Sequence, residues 1–270
     1  MLFFNIILSL FLFSSYQDSK PEPAVGKVIY SFSHMLDTNN ASRFYKEEMM
    51  LLFGNKSSLY TSYTRMVQDS IKDAKIKEAG ASDSNAIKIN MGVIRISSPE
   101  QIFTYKEPEA LYINMQFNDN NYLITEPLAQ IKWQIAKDTR KIAGYICQKA
   151  TCIFRGRNYI AWFTLAIPAG FGPWKLQGLP GLILEAYDEK KQVNFICENV
   201  MLNKNIAIIN FPANAIKTTM AEYNRMVNAF RENPGAAFND KGITISVDPS
   251  STVSPRKQGR INNPIELTNN

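Results

Sequence analysis

Short segments rich in β-branched and aromatic residues recur along this chain at close intervals, and that spacing constrains the fold more than any other feature. They run Gly26–Leu36, Arg43–Phe53, Ser57–Tyr63, Gln101–Tyr105, Leu111–Phe117, Asn121–Thr125, Ile131–Ile135, Gly144–Arg155, Asn158–Ile167, Leu182–Tyr187, Gln192–Leu202 and Ile206–Asn210. Strand-sized runs separated by polar turns predict a meander of antiparallel hairpins. In Arg155–Asn158, Gly156 sits where a tight turn needs positive φ. Asn118–Asn121 and the polar stretch after Asp188 read as turns of the same kind.

Two segments depart from this pattern. Thr64–Gly80 carries an imperfect helical stripe of Met66, Val67, Ile71, Ala74 and Ile76, stopping at Gly80. Thr219–Asn233 is clearer: Met220, Tyr223, Val227 and Phe230 share a face, Thr219 and Glu222 form a capping box, and Pro234-Gly235 ends it. The fold class expected is therefore α+β, mainly β: a curved antiparallel sheet or partly open β-barrel with two packed helices. By fold-level analogy alone, such an architecture is similar to the periplasmic lipoprotein carriers, in which a half-barrel closes over an acyl chain.

The N-terminus supplies a compartment. Ten of the twelve residues Leu2–Phe13 are apolar, and Ser14-Ser15 and a polar stretch follow. This matches a signal-peptide core in length, although no Lys or Arg precedes it, and it is too short to span a bilayer. We read residues 1–16 as a signal peptide, 17–248 as one β-rich domain without an internal linker, and 249–270 as a polar, largely irregular tail. The expected location is the periplasm or the periplasmic face of the outer membrane, with no transmembrane segment in the mature chain. An oxidising envelope permits a disulfide. Cys147 and Cys152 are five apart, so on one strand they would face opposite sides; Cys197 is the candidate partner across a sheet, with Cys147–Cys197 the pairing to test. Three small buried thiols are the plainer alternative.

The most distinctive stretch is Gly170–Gly181, where four Gly and two Pro occupy half of twelve residues. Pro180 fixes φ and Gly181 accepts positive φ, the composition of a type II turn over Leu179–Leu182. Trp174, Leu176, Leu179, Leu182 and Ile183 supply apolar anchors. The glycines match neither a P-loop nor a dinucleotide fingerprint. The hexapeptide Gly178–Ile183, its setting Gly144–Asp188, the N-terminal Val28–Asp37 and Lys46–Tyr63 and the C-terminal Asn262–Leu267 together resemble the GLPGLI family of exported Gram-negative envelope proteins. That family is broadly uncharacterised, and the resemblance carries no catalytic residues; a His frequent inside its loop is Gln177 here.

Candidate chemistry is sparse. His34 is the only imidazole, with Asp37 nearby, and no Gly-x-Ser-x-Gly elbow presents a nucleophile to it. Glu185 on a presumed strand needs a cation, and Arg155 or Arg157 is its expected mate. Neither a metal nor a cofactor is expected. The net charge of +6 is dispersed, and in an exported protein it favours anionic lipid head groups over nucleic acid. The function expected is a non-enzymatic binding or carrier module for a lipid, another apolar ligand or an outer-membrane protein. Its candidate site is a cavity of Trp162, Phe163, Trp174, Leu179, Pro180 and Gly181. The alternatives are an envelope hydrolase using His34 and Glu185, or an assembly factor.

Overall fold

The computed structural model describes residues 21–80, 95–118, 120–203, 206–212, 214–232 and 261–268. The apolar N-terminal run lies outside them. The strands are β1 (Glu22–Pro23), β2 (Gly26–Met35), β3 (Phe44–Phe53), β4 (Ser57–Ser62), β5 (Glu100–Lys106), β6 (Glu109–Phe117), β7 (Asn120–Pro127), β8 (Gln134–Ile142), β9 (Tyr145–Phe154), β10 (Arg157–Thr164), β11 (Leu182–Asp188), β12 (Val193–Leu202), β13 (Ile208–Ile209) and β14 (Ile216–Thr218). The helices are α1 (Tyr63–Gly80) and α2 (Met220–Glu232).

One 12-stranded sheet has the order β14-β7-β6-β5-β4-β3-β2-β12-β11-β10-β9-β8. Its pairings are antiparallel except β14 with β7, and β1 pairs separately with β13. Laid flat, β7 and β8 would stand about 48 Å apart at about 4.8 Å per strand. The connection between them, residues 128–133, reaches about 25 Å. The sheet must therefore curl into an open barrel, and Glu126 of β7 closes the gap by bonding Arg155 at the β9–β10 turn, 3.1 Å away.

The concave side forms the main core, with Tyr30, Leu51, Tyr60, Ile113, Ala161 and Phe195 drawn from six strands. On the convex side Met50, Leu52, Phe103, Tyr105, Tyr112 and Leu123 make a second cluster. Phe211 covers it with its ring centroid 4.9 Å from that of Phe103 and 4.8 Å from that of Tyr112. Helix α2 forms the expected capping box, Thr219 Oγ1 accepting from Glu222 N at 3.2 Å and Glu222 Oε2 from Thr219 N at 3.0 Å. It then seats Tyr223 on Tyr122 and Phe230 on Phe117. Helix α1 behaves differently, because its stripe of Met66, Val67, Ile71 and Ile76 is exposed. It stands off the sheet over a groove of about 490 Å³ lined by Met50, Leu52, Leu59 and Asp69.

Candidate functional site

The Gly/Pro segment belongs to a long loop, residues 165–181, between the paired strands β10 and β11. The loop folds back into the concave side of the sheet and fills it. Ile167, Phe171, Trp174, Leu176 and Leu179 all join the main core, and Trp174 packs between Phe154 and Tyr159 at 5.7 and 6.3 Å. Trp174 itself adopts φ 55°, a left-handed conformation costly for a bulky residue, and packing holds it there. The type II turn expected at Pro180-Gly181 does not form. Gly178 has the positive φ, 92°, and Leu182 N bonds to Ile167 O at 2.9 Å. Gly181 is required for another reason: a Cβ there would lie 2.0 Å from Thr164 O.

The residues expected to line a cavity are placed otherwise. Phe163, Trp174 and Leu179 are buried in packed core, Pro180 is exposed, and Gly181 lies under the Thr164 carbonyl. Trp162, displaced by a β-bulge before Phe163, is covered by the Arg140 guanidinium 4.1 Å from its ring.

The ion pairs also differ from those expected. Glu185 lies opposite Trp162 and is bound by Arg140, which reaches over the indole to it at 2.5 Å. Arg157 sits at the other end of β10 and pairs with Asp188 at 2.9 Å. Only 4% exposed, Arg157 uses all five donors: to Asp188, to Gln192 at 3.3 Å, to Asn263 Oδ1 at 2.7 Å, and to the carbonyls of Pro264 and Ile265 at 2.6 and 2.9 Å. Arg155 joins Glu126 and Glu266 (3.1 and 3.7 Å), and the buried Lys175 ammonium bridges the same two carboxylates at 2.9 and 2.8 Å. Residues 261–268 have no regular secondary structure, yet they form a strap across one rim of the barrel. Asn262 holds Asp37 at 2.7 Å, Asn263 donates to Met35 O at 2.6 Å, and Leu267 N donates to Arg155 O at 2.9 Å. Composition alone hid this strap, because its contacts are polar.

No hydrolytic constellation assembles from the expected parts. Asp37 is engaged by Asn262, Glu185 by Arg140, and His34 is buried beside Arg157 and Asn263. Burial, then Arg157, lowers the His34 pKa to about 4, so the ring is neutral at pH 7. The cysteines are free thiols. Strands β10 and β11 separate Cys147 from Cys197, so the expected bridge does not form. Burial pushes Cys147 up to about 11 and Cys152 and Cys197 to about 12, which leaves little nucleophilic thiolate.

An open groove of about 710 Å³ lies elsewhere, between residues 129–132 and the distal part of the β9–β10 hairpin. Ala129, Ile131, Ile153 and Ile160 give it apolar surface, and Lys132, Lys149 and Glu189 charge it. The outer wall is fastened to the Gly/Pro loop: Trp133 Nε1 donates to Gln177 O at 2.8 Å, and Gln177 Nε2 to Ala129 O at 2.7 Å. The inner wall is a sheet edge. Arg155 and Gly156, both at positive φ (49° and 78°), form a two-residue turn that makes Phe154 and Arg157 the hydrogen-bonded closing pair. The Ile153 N–H and C=O therefore point away from β10. Strand β8 begins only opposite Thr151, so those two groups have no partner among the described residues, and the Ile153 side chain is 78% exposed.

Comparison with known proteins gives little beyond fold. A family model described as a protein of unknown function (Porph_ging) matches residues 155–185, the segment holding the GLPGLI-like hexapeptide. No curated protein matches the chain. Two solved structures, of PNGF-II in C2 and P21 space groups, are similar at 14% identity with a TM-score of 0.51. The likeness covers 75% and 77% of this chain but 32% and 33% of theirs, so the chain spans about a third of their length. At that identity it shows a shared β fold. Among the described residues, no helix is long and apolar enough to cross a membrane.

Proposed function

We propose that this chain is an exported, non-enzymatic binding module of the cell envelope, and that it holds an outer-membrane or periplasmic partner in the groove beside β9. The groove is the observation that carries this reading: about 710 Å³ of partly apolar space whose wall is pinned to the most distinctive loop of the sequence. The interior, by contrast, is occupied by the chain's own Gly/Pro loop, which argues against an acyl chain carried there. The N- and C-terminal likenesses quoted above favour kinship with the GLPGLI family over the whole mature chain, and with it export.

The test is purification from the native envelope under mild conditions, followed by mass spectrometry. The expected result is a chain starting near Tyr16–Ser19 with a stoichiometric protein partner. That partner is lost on Ile131→Glu/Ile160→Glu substitution in protein that still melts cooperatively, at a lower temperature because both side chains also pack against the core. A stoichiometric lipid that survives this substitution would return the carrier reading to first place.

A further inference from the structure

We propose that the groove takes an extended, acidic peptide segment, which adds to the sheet as a short strand against Ile153 of β9. This rests on the reading of the groove as the binding surface. An unpaired backbone N–H and C=O on one exposed strand residue is a donor and acceptor set at the spacing of a β-ladder, which an extended backbone matches. Most of the free edge is guarded. Lys137, Asp138 and Lys141 interrupt β8, whose pairing with β9 also breaks between Ile135 and Thr139. Ile153 lies beyond that guard, where β9 outruns β8. The wall at Ala129–Lys132, fastened to the Gly/Pro loop, bounds the groove on its far side.

Charge selects the occupant. Lys132 and Lys149 outnumber Glu189 in the groove, and Lys137 and Lys141 continue the positive edge, whereas Arg140 is committed to Glu185. A second copy presenting the same edge would set lysine against lysine, which is unfavourable for directly opposed pairs. An acidic segment with alternating apolar residues offers carboxylates to Lys132 and Lys149 and apolar side chains to Ile131 and Ile153.

The test uses full mature protein and a fluorescent synthetic peptide of about eight residues alternating Val and Glu, enough to span a groove of this kind. Its Val/Lys counterpart, a copy N-methylated at alternate residues, and phosphatidylglycerol vesicles are the comparison probes. The Val/Glu peptide is expected to bind about tenfold or more tighter than the Val/Lys peptide, and to slow hydrogen exchange at the Ile153 amide. Ile153→Pro removes the outward N–H at a sheet edge, where proline is tolerated, and is expected to weaken binding about tenfold. Lys132→Glu/Lys149→Glu, which leaves the backbone intact, reverses the preference between the two peptides. Equal binding of the N-methylated copy would overturn strand addition. So would equal binding of the Val/Lys peptide, or vesicle binding that Ile153→Pro leaves unchanged. If no peptide binds while Ile131→Glu/Ile160→Glu still loses the envelope partner, strand addition alone falls; if that variant keeps its partner, the groove reading falls.

Discussion

Glycines that look alike in the sequence are held by different forces. Gly181 meets the Thr164 carbonyl at 2.0 Å from any added Cβ, whereas Gly144 has φ 89° and open space around it. Gly181→Ala should therefore cost more than about 3 kcal/mol or prevent folding, while Gly144→Ala pays only backbone strain, about 1 kcal/mol. Urea denaturation separates them; equal costs would mean that crowding is not what fixes Gly181. Two titratable groups, the buried His34 and the half-buried Glu100, oppose each other in the same way. His34, lowered to about 4, stabilises the fold above its unfolded value of about 6.5, and that contribution of about 3 kcal/mol is lost as pH falls from 6.5 to 4. Burial raises Glu100 to about 7, offset in part by Lys175 and reinforced by Glu266 and Glu126. Its contribution is complete below about 4.5 and is lost as pH rises to 7. Between pH 4.5 and 6.5 the two slopes nearly cancel. Glu100→Gln should then gain stability with rising pH and His34→Gln should lose it, in chemical denaturation across that range. At this scale Gly156 was legible because a two-residue turn is local. Gly181 was misread as a turn glycine because its constraint comes from a carbonyl 17 residues away, at Thr164.

Strands whose inner face is buried were legible, and those at the margin were not. The ranges of β2, β3, β4, β9, β11 and β12 fall within a residue or two of the sequence expectation. Strand β8 was expected at Ile131–Ile135 and lies instead at Gln134–Ile142, since an edge strand guarded by Lys137, Asp138, Arg140 and Lys141 has no apolar alternation to read. The stripe of α1 was visible, but a stripe does not specify what covers it. Residues 261–268 likewise read as a polar end, yet they supply three of the acceptors around Arg157. Asn263→Ala removes one acceptor from a buried guanidinium and the donor to Met35 O, so it should cost about 2–4 kcal/mol. Asn262→Ala, on the exposed side, should cost under about 1 kcal/mol. Thermal melts of the two variants check this, and an Asn263→Ala protein as stable as the parent would show that the strap is only resting on the rim.

The open barrel is a consequence of connectivity. A short link from β7 to β8 draws together strands that the sheet order places far apart, and the quartet of Glu126, Glu266, Arg155 and Lys175 joins the ends where no ladder does. The mainly β architecture followed from hairpin spacing, but the location of the site did not. Aromatic anchors beside a Gly/Pro turn read equally well as a cavity lining or as the material that fills it, and only long-range packing distinguishes the two. The strap has one further consequence, which is mechanical. Its attachments to Asp37, Met35, Arg157, Lys175 and Arg155 are spread along its length. A pull on the C-terminus along that line would load them together, in shear, rather than peel them one after another, so a tether attached there would bear force without first unravelling the sheet.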